Sequence, residues 1–131
     1  MAGKIIADTI ETGAGADIST SYVVNGSAKA WVNFTQISTQ TVRDSFNISS
    51  ITDVSSGRTF PISYTSNMSD GNYVGSLYQN AVTGTGYINF DNQYVGGFGS
   101  KTTSSFGERS YGSSGDIDSN AVELIIQGDL A

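Results

Sequence analysis

Carboxylates are the only side chains in this sequence whose number and spacing could support paired proton or metal chemistry. Asp91, Glu108, Asp116 and Asp118 lie close together in the C-terminal part of the chain. Hydrolysis of a glycosidic bond needs two carboxyl groups facing each other across that bond. These four form no recognisable pair, and each is expected near a turn, where a carboxylate is simply solvated. The string Asp116-Ile117-Asp118-Ser119-Asn120 opens like a calcium loop, with oxygen ligands at its first, third and fifth positions. However, Ala121 stands where the loop needs glycine and Glu123 comes too early for the bidentate ligand. A polar turn is the better reading. Gly96-Gly97-Phe98-Gly99-Ser100-Lys101-Thr102 is only superficially a phosphate loop, because Ser100 interrupts the Gly-Lys-Thr order and no helix is expected after it. Histidine and cysteine are absent. That inventory excludes Ser-His-Asp and cysteine nucleophiles, thiolate zinc sites and disulfides. The chain is expected not to be an enzyme, and to use no metal or cofactor.

Aromatic residues offer binding chemistry instead. Tyr94, Phe98, Phe106 and Tyr111 are spread among glycine and serine between residues 92 and 119, a stretch expected to be a long exposed loop. Rigid rings on an adaptable Gly/Ser background provide contact area together with fit, and ring faces also stack on sugars. Two readings stay open: these rings meet a receptor such as a host surface glycan, or they pack inward against the sheet or a neighbouring subunit.

Charge narrows the partners. The 131 residues carry 12 acidic and 6 basic side chains, a net charge of −6, and the basic residues are scattered. Nucleic acid is therefore not an expected partner, since no cationic cluster neutralises phosphates. No run approaches the roughly 20 apolar residues that span a bilayer, and no signal peptide is visible. Membrane insertion is not expected.

The elements that must position these residues are strands. Hydrophobic residues make up 37% and aromatics 11%, with seven Tyr, six Phe and a single Pro. Strands are expected over Lys29–Phe34, Val42–Asp53, Arg58–Tyr64, Asn72–Gln79, Gly86–Phe90 and Ala121–Leu130, with turn clusters between them. In the second of these the phase slips near Ser49-Ser50, as at a bulge or a strand end. Pro61 lacks a backbone donor, which argues for an edge strand or an edge-facing position. The last strand, with Val122, Leu124 and Ile126 on one face and Ile125 opposite, is expected central and buried. Short strands at about 10-residue spacing indicate an antiparallel, jelly-roll-like β-sandwich over residues 26–131. Residues 1–25 differ in character. Ile5, Ile6 and Ile10 there suggest an extended N-terminal attachment arm, since apolar residues in a frayed tail would gain nothing.

Four strings in order carry a resemblance. Gly26-Ser27-Ala28-Lys29-Ala30-Trp31-Val32-Asn33-Phe34 resembles a motif of bacteriophage tail-fibre and related virion proteins, where it opens a C-terminal β-domain. Arg43 to Asp53, the turn at Gly57 with the strand Arg58 to Tyr64, and Asn67-Met68-Ser69-Asp70-Gly71-Asn72-Tyr73 follow in the family order. Ala121 to Gly128 closes the match, which spans most of the chain. Ser69 stands where the family has proline. Family members carry a shaft before the motif, and here only residues 1–25 precede it. The resemblance implies a virion structural protein, assembled in the host cytoplasm as a homotrimer and anchored to other virion proteins by its N-terminal arm. A capsid decoration (head fibre) or a tail adaptor is the alternative. A polysaccharide-degrading enzyme is the rival from another class.

Overall fold

Strict alternation over two strands builds the core. In the computed structural model, which describes residues 7–11, 13, 15, 17–81, 86–90 and 101–131, β3 (Ala28–Thr35) turns Ala30, Val32 and Phe34 inward. Beside it β11 (Ser119–Gln127) turns Val122, Leu124 and Ile126 inward, in an antiparallel register that sets Leu124 opposite Val32. With β4 (Thr41–Phe46) and β7 (Val74–Ala81) these make a four-stranded sheet of order β4-β3-β11-β7. The final strand is thus internal, as its apolar face predicts.

A second sheet packs on the first. It runs β10 (Gly115–Asp116), β9 (Ser105–Gly112), β6 (Arg58–Tyr64), β5 (Ile48–Ser55), and β8 (Gly86–Phe90) pairs with the other edge of β9. Its inward residues Ile62, Tyr64 and Phe106, with Ile48, Ile51, Ile88 and Phe90 around them, close the core against the first sheet. All pairings are antiparallel. This is the antiparallel β-sandwich that the alternation indicates. Ahead of it, β1 (Thr9–Glu11) and β2 (Asp17–Ser19) form a small hairpin, followed by α1 (Thr20–Gly26), whose N-cap Ser19 accepts from the Ser21 amide.

The stretch expected as one strand over Val42–Asp53 is two, and they belong to different sheets. The break is one residue long. Asn47 adopts φ 56°, a left-handed conformation that asparagine tolerates better than most residues. Its Nδ2 donates to the carbonyls of Lys29 and Ser66, both at 3.0 Å, while its Oδ1 accepts from the Ser66 amide at 2.6 Å. One side chain therefore clamps the start of β3, the end of β6 and the corner between the sheets.

Two further expectations are corrected. Pro61 lies in an internal strand, between β5 and β9, and not on an edge. The ladder to β9 skips from Thr59 to Ile62, so the missing proline donor falls in a bulge. Residues 92–119 are not one long loop, because β9 and β10 occupy much of that range. In β9 the inward positions are Phe106, Glu108 and Ser110, so only one of three is apolar and the period-two signal is hidden.

An aromatic cluster fills one end of the core. Tyr64 meets Tyr73 edge-on at 5.8 Å and Phe106 at 5.5 Å, and Phe90 meets Phe106 edge-on at 5.8 Å. Burial pushes the Tyr64 and Tyr73 phenols above their ordinary value of 10.0. The folded state thus holds both neutral, whereas the unfolded chain ionises them near pH 10. Their contribution is complete below that pH and is lost as pH rises through it, for Tyr64 at about 1.4 kcal/mol per pH unit. Denaturant titrations from neutral to strongly alkaline pH should show this decline, with phenolate absorbance from Tyr64 appearing only on unfolding. Tyr64→Phe should flatten the alkaline slope; an unchanged slope would refute the assignment.

Candidate functional site: the outer faces of the two sheets

The described carboxylates singled out for chemistry serve structure. Glu108 is wholly buried, contrary to the solvated turn expected for it. Its Oε1 accepts from Gln36 Nε2 at 2.5 Å and its Oε2 from the Ser110 hydroxyl at 3.1 Å. Gln36 also accepts the Ser119 amide at 3.1 Å, while Gln40 donates to Thr59 at 2.5 Å. This network fills the interior at the end opposite the aromatic cluster and ties both sheets together. Asp118 accepts from the Gly57 amide at 2.8 Å and fixes the turn between β5 and β6, where Gly57 has φ 70°. A Cβ on Gly57 would collide with the Ser110 carbonyl, so glycine is required there. Asp116 is held by two arginines. The resemblance of residues 116–120 to a calcium loop has no counterpart in space: no cluster of three or more metal-ligating side chains occurs among the described residues. Asp91 lies outside the described residues.

The predicted binding residues separate. Tyr94 and Phe98 lie outside the described residues, as do Ile5 and Ile6 of the expected arm. Phe106 is a core residue with no exposed surface, so it offers no face to a receptor. Its neighbours in sequence alternate about the sheet, which sends it inward and Tyr111 outward. Ile10 is 47% exposed on β1, opposite Ile18 on β2. The helix α1 buries no residue and leaves Tyr22, Val23 and Val24 exposed. Lys29 Nζ, donating to the Val24 carbonyl and to Ser27 Oγ, and Gln127 Nε2, donating to the Gly26 carbonyl at 2.9 Å, hold its C-terminal end to the first sheet.

The outer face of the four-stranded sheet carries a row that sequence reading missed. Cross-strand register sets Phe46 beside Trp31, Trp31 beside Ile125 and Ile125 beside Ser76. Val74 and Tyr78 flank the row on β7. Phe46 is 53% exposed, Ile125 48%, Val74 61% and Tyr78 59%, with Trp31 partly covered between them. The next row holds Asp44, Asn33 and Glu123, with Asn33 Nδ2 donating to Glu123 Oε1 at 3.1 Å and Arg43 donating to Asn33 Oδ1 at 3.3 Å. An antiparallel sandwich ordinarily turns polar residues outward. Here an apolar band with a polar margin takes their place.

The outer face of the second sheet is different in chemistry. Tyr87, Tyr111 and Asp116 stand side by side across β8, β9 and β10. Asn89, Arg109 and Arg58 stand side by side across β8, β9 and β6. The two tyrosine rings lie 6.0 Å apart with a tilt of 34°. Arg58 Nε and Arg109 Nε reach the two oxygens of Asp116 at 2.9 and 2.7 Å, and the Arg109 guanidinium lies 5.6 Å from the Tyr111 ring centre. A third feature is a cleft of about 380 Å³ bordered by Asn25, Ser69, Asp70, Asn72 and Asp129. Both Asp70 oxygens there are taken up by Asn72, at 2.7 and 3.0 Å.

Truncating the hub of the buried network tests its structural role. Gln36→Ala would strip partners from Glu108 and from the Ser119 amide inside the protein, at a cost of about 2–3 kcal/mol. Urea unfolding of the variant measures it, and a loss below about 1 kcal/mol would show that the network does not tie the sheets.

No family model, curated protein or solved structure matches this chain.

Proposed function

We propose that this chain is a non-enzymatic virion structural module of the bacteriophage tail-fibre type, which packs against copies of itself, is anchored by its N-terminal segment and contacts a host receptor. The observation that carries the reading is the band Phe46–Trp31–Ile125 with Val74 and Tyr78 on the outer face of the four-stranded sheet. At the exposures given above these side chains leave on the order of 450 Å² of apolar surface in water, taking full side-chain areas of about 150–250 Å². A stable interface of about 800 Å² per partner, some 60% of it apolar, needs a patch of that size. The occupant proposed is a second copy of the chain. Trp31 sits centrally in the band, as an anchor residue does, and the margin holds Arg43 beside Asp44 and Glu123, so charges of both signs are available for pairing.

The motif order from Gly26 to Gly128 supports the virion part of the proposal and, by resemblance, a copy number of three. The N-terminal segment supports the anchoring part. Its described residues bury no side chain in the domain, yet present Ile10, Ile18, Tyr22, Val23 and Val24 to solvent. Apolar side chains arranged on a hairpin and a helix without a core beneath them suit a partner protein.

The mass of the protein in solution decides the assembly claim. A stable trimer is expected, and Ile125→Glu, which alters only a solvent-facing strand position, should give a folded monomer with an unchanged circular dichroism spectrum. A monomeric parent protein would overturn the proposal. Deleting residues 1–25 should leave folding and self-association intact but abolish incorporation into particles; a truncated chain that still incorporates would remove the anchoring role.

A further inference from the structure

We infer that the outer face of the five-stranded sheet binds a sugar ring bearing a carboxylate, on a platform made by Tyr87 and Tyr111 and edged by Arg109. This deepens the receptor part of the reading above and rests on it for the source of the sugar.

The platform is built on strands. Tyr87 is 59% exposed and is the direct cross-strand partner of Tyr111, so both rings project from the same side at fixed spacing. Rings whose centres lie 6.0 Å apart at a tilt of 34° form a shallow trough. A pyranose laid in it would place the C–H face of its ring on one tyrosine, the contact by which aromatic side chains hold sugars. The surrounding groups suit the hydroxyls at the ring edge. Asn89 Nδ2 donates to the Tyr111 hydroxyl at 3.3 Å, which leaves the tyrosine proton free to donate outward and Asn89 Oδ1 free to accept.

The carboxylate preference follows from the arginines. Arg58 and Arg109 both pair with Asp116. Arg109 uses its Nε on Asp116 Oδ1 at 2.7 Å, and neither of its Nη groups bonds to a described residue. Packing against Tyr111 and the ion pair to Asp116 fix the plane of this guanidinium. A fixed fork with both Nη groups available is the geometry that accepts a carboxylate in two parallel hydrogen bonds. A neutral sugar would find the ring platform but leave the fork unused.

Titration of the full chain with three probes, followed by backbone and side-chain chemical shifts, tests the site. The probes are oligomers of galacturonic acid, oligosaccharides ending in sialic acid, and the galacturonic oligomers with their carboxyl groups reduced to alcohols. At least one acidic probe should bind saturably in the millimolar range or tighter, shifting Tyr87, Asn89 and Arg109, and binding should weaken as salt is raised. The reduced oligomers should bind at least about tenfold more weakly than the acidic ones. Tyr87→Ala, at an exposed position, should weaken acidic binding about tenfold, and Arg109→Lys, which keeps the charge but loses the planar fork, about fivefold. Tyr78→Ala on the opposite sheet should leave it unchanged.

Failure of both acidic probes to bind would overturn the inference, as would equal binding of the reduced oligomers or insensitivity to Tyr87→Ala. A trimer that binds no acidic sugar refutes this site and leaves the assembly reading standing. A monomer that binds refutes assembly and leaves the site.

Discussion

The pairing of β3 with β11 constrains everything outside it. Six inward residues, Ala30, Val32, Phe34, Val122, Leu124 and Ile126, are essentially inaccessible to water and form one wall of the core. Because side chains on a strand alternate between faces, filling that wall also determines what stands on its back. Trp31 and Ile125 have no choice of side: a one-residue shift that buried them would expose six core residues. The apolar outer band is therefore not a packing defect that a local adjustment could remove. It is the other half of the same register, and its cost in water is offset only by a partner that covers it.

The interior is divided along its length. At one end the rings of Tyr64, Tyr73, Phe90 and Phe106 pack against one another; at the other Gln36, Thr59, Glu108, Ser110 and Ser119 form a buried polar network. Burying a carboxyl group has a large desolvation cost, and hydrogen bonds such as those from Gln36 and Ser110 oppose it. Such a network gives less stability than an apolar filling of equal volume but discriminates between registers. Thr59 faces Glu108 across the β6–β9 ladder, just before the bulge at Phe60 and Pro61 where the register could slip. A slipped β9 would leave the carboxyl group of Glu108 without Gln36. The polar end thus fixes the strand that carries Arg109 and Tyr111 on its reverse side.

How much of this was legible depended on whether a feature is local. β8 was readable to the residue, and the buried face of β11 was plain, because Ile88 with Phe90 and Val122 with Leu124 and Ile126 announce period two within a few positions. β9 was not, since Glu108 and Ser110 occupy inward positions and look like loop residues. The sheet change at Asn47 shows in the sequence only as a phase slip two residues later, because Ser49 and Ser50 carry no hydrophobic signal. Phe106 and Tyr111 share a Gly/Ser-rich stretch in which sequence leaves receptor contact and inward packing open for both; only the strand between them tells the faces apart. Tyr87 and Arg58 could not have been joined to Tyr111 by reading, since they come from different strands and meet only through register.

The two outer faces differ in what they ask of a partner, and their placement lets both be used at once. The band around Trp31 needs a surface that excludes water over its whole width, because isolated apolar contacts gain little once association entropy is counted. The trough between Tyr87 and Tyr111 needs only one ring and a charge, and it works at an exposed edge where a ligand can enter and leave. These faces lie on opposite sides of one core, so a copy seated on the first leaves the second open. Repetition then matters more than the strength of one site. If each copy binds a sugar weakly, a rigid assembly presenting several identical sites to a repeating polymer holds it far more tightly than one copy could, because the second contact forms at a high effective concentration. A net charge of −6 discourages non-specific sticking. On the proposed reading, weak, selective binding at the monomer and firm attachment at the assembly would both follow from one sandwich using its two backs differently.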